Sequence, residues 1–138
     1  MTEEQIAILR KSWTEVKPEN KRIGFLLYEK LFEAAPFLRA MFDGNISTQA
    51  CKLVAVISFV ISKLHRIEDI FPDLQDIGNR HSEYQIPDKW YNVVGNCLIE
   101  ALKEESGNTW NKDKEKQWRE LYNILKEQMQ SGENRRGG

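Results

Sequence analysis

Residues 51 to 64 read CKLVAVISFVISKL, and the placing of that run decides the fold. It falls short of the roughly 20 apolar residues that a bilayer-spanning helix needs. Alternation at period two is absent, and its β-branched residues sit at helical spacing, so it reads as a helix. It is apolar on most of its circumference. Such a helix is expected to be buried between other elements, with Ser47 placed to cap its start.

The segments on either side have the same period. Thr2 followed by Glu3, Glu4 and Gln5 makes a capping-box start for a helix through Ile6, Leu9, Trp13 and Val16, ending at Pro18. A second helix has Ile23, Leu26, Leu27, Leu31 and Phe32 on its apolar side, and Pro36 opens a short piece before the turn at Asp43-Gly44-Asn45. Beyond the central run, Pro72 opens a helix through Leu74 and Ile77 to His81, and Pro87 ends it. A further helix bears Trp90, Val93, Val94, Cys97, Leu98, Ala101 and Leu102, and the last bears Trp118, Leu121, Tyr122, Leu125 and Met129. Residues 1–130 thus read as one all-α domain of about six to eight helices, too uneven in length for a simple four-helix bundle. The glycine-ended stretch SGENRRGG, residues 131–138, reads as a disordered polar tail.

Composition excludes several function classes. With 41% apolar residues, 30% charged residues and a net charge of −1, the chain has no long-range attraction for nucleic acid or anionic membrane. The pairs Lys21-Arg22 and Arg135-Arg136 are isolated, and Lys112, Lys114 and Lys116 alternate with acids, so they read as solvated. The N-terminal MTEEQIAILRKSW is too polar for a signal peptide, which makes a cytoplasmic protein the expectation. Cys51 and Cys97 each sit in an apolar helical pattern and read as small core residues or free thiols. Cys51, His65, His81 and Cys97 are too far apart for a zinc cluster. Walker, GxGxxG and HExxH motifs are absent, and two histidines without a nucleophile elbow give little support to a hydrolase.

What remains is His81 in GNRHSEYQIP, residues 78 to 87, and Gln49 at the head of the apolar helix. Taken alone, His81 suits a helix end, where an imidazolium complements the dipole, or it is a metal ligand. Gln49 and Leu53 lie one turn apart on one face, which Val56 and Ile57 continue. One amide followed by hydrocarbon suits a wall of a ligand slot, with the histidine-bearing helix as the opposite wall. His65 is expected to face solvent.

An ordered series of anchors then resembles the globin family over about residues 3 to 130: Trp13, Tyr28, Pro36 and Phe42 in APFLRAMF, ISTQACKL at 46–53, LQDIGNRHSEYQI at 74–86, WYNVVGNCL at 90–98 and WRELY at 118–122. The likeness is nearest to bacterial single-domain haemoglobins related to flavohaemoglobin globin domains, and to the Hell's Gate type. It implies the globin fold around haem b (iron protoporphyrin IX), with His81 as proximal iron ligand and Phe42 stacked on the porphyrin. It also implies Tyr28 and Gln49 as distal hydrogen-bond donors, Leu53 as the apolar residue one turn after Gln49, and Ile57, Ile77, Ile86, Tyr91, Val94 and Leu98 as further pocket residues. Lys52 and Arg80 either pair with propionates or are simply exposed. The second nitrogen of the proximal imidazole would be supported by Tyr91 with a glutamate near Glu133, although Ser131-Gly132 is expected to interrupt the helix presenting it. A backbone carbonyl near Ile77 is the other choice. The function implied is reversible binding of dioxygen, nitric oxide and carbon monoxide. The alternatives are nitric oxide dioxygenation with a separate reductase, and gas sensing.

Overall fold

The computed structural model describes residues 1–41, 45–82 and 88–137, with the side chains at 41, 80–82, 88 and 133–137 outside that description. Six α-helices follow one another among these residues: α1 (Glu3–Glu15), α2 (Arg22–Ala34), α3 (Ile46–Ser62), α4 (Phe71–Ser82), α5 (Asp88–Ser106) and α6 (Lys112–Gly137). Short 3-10 turns at Pro18–Asn20, Pro36–Met41, Leu64–Ile70 and Gly107–Thr109 join them. No strand forms among the described residues. The all-α reading holds.

The helix starts follow capping chemistry. Thr2 accepts from the backbone N–H of Gln5 while the Gln5 side chain accepts from that of Thr2, the reciprocal box expected from the sequence. At α3 the cap is Asn45 and not Ser47. The Asn45 side chain accepts from the Ser47 N–H at 2.8 Å, so the helix begins two residues earlier than a Ser47 cap would place it.

The core gathers the inner faces of all six helices. α1 packs on α6 and α3, α2 lies across α3 and α5, and α4 lies against α6. Trp13 and Trp118 meet with ring centroids 6.0 Å apart and planes inclined at 59°. Each indole N–H has a serine: Trp13 donates to Ser58 Oγ at 3.1 Å and Trp118 to Ser12 Oγ at 2.9 Å. The same core holds Leu9, Ile23, Leu64, Ile70, Ile99, Leu102 and Leu121, all nearly inaccessible to solvent.

Three further expectations need correction. Lys114 is buried, not solvated: its ammonium pairs with Glu15 at 2.7 Å and donates to the carbonyl of Thr109, because the chain between α5 and α6 folds back over it. Cys51 and Cys97 are both free thiols, one of the two readings the sequence allowed, with Cys51 exposed on α3 and Cys97 buried. Helix α6 passes through Ser131 and Gly132 without interruption and reaches Gly137, taking in residues read as a disordered tail. The physical reason is at Gly132, which is buried against the backbone of Gln75 on α4, so the residue that weakens the helix is where a neighbour needs no Cβ. Finally, α3 is not buried all round. Ala50, Val54, Ile57, Val60 and Ile61 face the core, but Val56 and Phe59 are 43% and 44% exposed.

Candidate functional site

The uncovered side of α3 faces a cleft. Ala55, Val56, Phe59 and Val60 from α3 stand opposite Ile70, Asp73, Leu74 and Ile77 around a space of about 240 Å³. Asp73 is the one charged residue of this lining. On α3 the stripe through Val60 and Val56 continues towards the N-terminus to Leu53 and then Gln49, both half-buried. The sequence marked Ile77 and the 49–53–56 face. It missed Phe59, Val60, Ile70, Asp73 and Leu74, which continue the same helical spacing on α3 and its partner.

A close crossing brings α2 to this stripe. A Cβ on Gly24 would lie 2.7 Å from the carbonyl oxygen and 2.9 Å from the Cβ of Ala50, so the backbones meet where only glycine fits. Tyr28 is one turn beyond Gly24 on the same face of α2, and Gln49 and Leu53 flank Ala50 on α3. Tyr28 is half-buried, its ring 5.9 Å from that of Phe32. Burial pushes its hydroxyl above the usual tyrosine range, so it keeps its proton and remains a donor.

On the other side, Tyr91 of α5 is buried, and its carbonyl oxygen accepts from the Tyr122 hydroxyl of α6 at 2.6 Å. Val94 is half-buried, while Leu98 and Ile57 are part of the continuous core together with Leu53 and Val94 packed against it. These four belong to the core or pack against it, and none is among the residues lining the α3–α4 space. Position 81 falls within α4, one turn after Ile77, and its side chain lies outside the described residues, as do those of Arg80 and Glu133. Phe42 and Ile86 lie outside them altogether. Lys52 is exposed. His65 is exposed as expected and approaches Glu3 at 3.1 Å.

Comparison with known proteins agrees with this architecture. A family model described as Globin matches residues 26–129. An anaerobic nitrite reductase of Gossypium hirsutum is 28% identical, covering 90% of this chain and 85% of its own. Among solved structures, a hexacoordinated heme protein from an anhydrobiotic tardigrade superposes with a TM-score of 0.85 at 16% identity, covering 97% of this chain and 96% of that one. An engineered carbene transferase from Rhodothermus marinus, described also as a candidate nitric oxide dioxygenase, gives a TM-score of 0.84 at 20% identity over 98% of this chain and 94% of that one.

Proposed function

The chain belongs to the globin family, and from that premise we propose that it is a haemoglobin holding iron protoporphyrin IX and reversibly binding dioxygen and other diatomic ligands. The observation that supports this reading best is the uncovered hydrocarbon of α3. Val56 at 43% and Phe59 at 44% exposure, with half-buried Leu53, form an apolar stripe facing α4 that water solvates poorly and a flat macrocycle would cover. The residues present fit the group.

In this reading His81 supplies the imidazole nitrogen to the iron, and Phe42 and Ile86 complete the contact with the macrocycle. Leu53, Ile57, Ile77, Val94 and Leu98 keep water from the ligand side and from the iron edge. The bound haem supplies the iron position at which a diatomic ligand is held. Tyr28 and Gln49 supply O–H and N–H donors to that ligand. A hydrogen bond to a partner bearing negative charge contributes about 1.5–3 kcal/mol, so each donor slows ligand escape. Tyr28 suits the role because burial keeps its proton in place. Tyr91, alone or with a glutamate near Glu133, supports the proximal imidazole, and a backbone carbonyl near Ile77 is the other choice; the helical backbone of α6 runs on through position 133. Free thiols at Cys51 and Cys97 suit a reducing compartment such as the cytoplasm.

A second reading is redox chemistry on nitrogen oxides with electrons from a separate reductase. The name of the cotton relative favours it. Sustained turnover of nitrite without oxygen, or of nitric oxide with oxygen, separates these activities from storage; a single stoichiometric reaction does not count.

The deciding experiment is hemin titration followed by absorption spectra of the ferric, ferrous and oxygenated protein. One equivalent of hemin should produce a Soret band, and His81→Ala should weaken retention. Unchanged iron coordination in His81→Ala would remove the proximal assignment, and failure to take up hemin would remove the whole reading.

A further inference from the structure

Helices α4 and α6 cross closer than side chains allow. A Cβ on Gly78 would overlap the backbone carbonyl of Met129, lying 2.6 Å from its carbon, and one on Gly132 would overlap that of Gln75, at 2.8 Å from its carbon. Contacts this short involve backbone atoms, which cannot swing away. The two notches are reciprocal, since 75 to 78 on α4 runs against 132 to 129 on α6. A third tie lies beside them: Gln75 Nε2 donates to Gln128 Oε1 at 3.0 Å. Sliding α4 along α6 would lift both glycines out of their notches together and break that bond. The crossing is therefore a register lock.

The lock acts on a functional stripe. Successive residues of a helix are turned by about 100°, so Gln75 and Gly78 stand about a quarter-turn round from Leu74 and Ile77. Leu74 and Ile77 line the cleft against α3. Position 81 is one turn past Ile77 on that same stripe. Moving α4 away from α6 thus shifts the stripe sideways across α3 and does not simply close or open the cleft.

We infer that Gly78 and Gly132 are positioning residues for the iron ligand: by fixing where α4 rests on α6 they fix where position 81 stands opposite α3. This rests on the haem reading above. Neither glycine touches the macrocycle. Their effect passes through the α4 backbone, where a displacement near 1 Å is enough to alter a metal–imidazole bond.

The test uses the full chain with Gly132→Ala, read in two ways. Without hemin, hydrogen exchange at α4 amides 74–80 should be faster than in the unsubstituted protein by about fivefold or more, the equivalent of one lost tie. With hemin, the variant should still bind one equivalent, while the ferrous iron–imidazole stretching band shifts and ligand association changes by roughly tenfold. Unchanged exchange overturns the lock. Faster exchange with an unmoved band overturns the positioning role, because a merely structural contact would loosen the helix and leave the bond alone. If the unsubstituted protein takes up no hemin, the haem reading fails while the exchange result still reports on the lock. Should Gly132→Ala not fold, Gln128→Ala removes the neighbouring tie without adding a clash, and the same two measurements decide.

Discussion

The Tyr122 hydroxyl donates to the Tyr91 carbonyl oxygen at 2.6 Å while its ring lies on Gly95, where a Cβ would come within 2.6 Å of Cε2. One side chain thus fixes both the spacing of α5 from α6 and the height of Tyr91. Burial disfavours the phenolate and pushes the Tyr122 hydroxyl well above the usual tyrosine range.

Tyr122→Phe removes the hydrogen bond and keeps the ring. It should cost about 1 kcal/mol, or a few degrees in Tm, measured by thermal unfolding at neutral pH. The pH dependence has a definite sign. Above about pH 10 the unfolded tyrosine releases its proton while the folded one holds it, so stability falls as pH rises. The variant lacks this term, and the gap between the two proteins should narrow on the alkaline side. A gap constant from pH 7 to 11 would contradict the assignment.

The Glu15–Lys114 pair controls the acid side. The Lys114 ammonium holds the Glu15 carboxyl below its ordinary value of 4.5. Such a group contributes stability above that pH and loses it as pH falls through the lower folded value. Glu15→Gln should flatten the acid limb of a denaturation series. At neutral pH it leaves an ammonium whose side chain is only 9% exposed with the Thr109 carbonyl but without its carboxylate, at a cost of about 1–3 kcal/mol. Restoring stability with a further Lys114→Met change would show that the stranded charge, and not lost packing, is responsible.

Ser12 has no exposed surface and accepts the Trp118 indole N–H at 2.9 Å. Ser12→Ala leaves that donor buried without an acceptor, which costs about 1–3 kcal/mol. Tryptophan emission should shift as well, since the indole N–H loses the Ser12 acceptor. Ser58→Ala is the milder counterpart: it removes the acceptor of the Trp13 indole at 3.1 Å, at a half-buried serine.

These two serines mark where the sequence stops being readable. The helical period of Ile6, Leu9 and Trp13, or of Trp118, Leu121 and Leu125, is set by burial along one face, so the helices and much of the core could be read directly. A serine such as Ser12 reads as polar surface until a tryptophan from a distant helix is known to face it. Lys114 misleads in the same way, because local charge alternation says nothing of a carboxylate on α1. Gly132 reads as a helix breaker because intrinsic propensity is a local quantity, whereas the close crossing with Gln75 that keeps it helical is not. For the candidate site, spacing alone gave one stripe of α3. The resemblance to globins supplied Tyr28 and Phe42, and for His81 it chose between a helix-end imidazole and a metal ligand; these roles depend on partners that no local pattern reveals.

Gly24 tests the distal side without touching it. Its missing side chain lets α2 rest on the Ala50 backbone, and Tyr28 rides one turn further along. Gly24→Ala introduces a methyl 2.7 Å from the Ala50 carbonyl oxygen, so the two helices must separate, at a cost of about 1–3 kcal/mol. If Tyr28 is a donor to the bound ligand, ligand escape should quicken towards the rate of Tyr28→Phe, measured by stopped-flow displacement. Combining Gly24→Ala with Ala50→Gly removes the clash with the Ala50 Cβ at 2.9 Å but leaves the carbonyl. That double variant should recover only part of both stability and ligand retention. An escape rate unchanged by Gly24→Ala in a protein that has lost the expected stability would show that the α2–α3 crossing supports the fold and does not place the phenol.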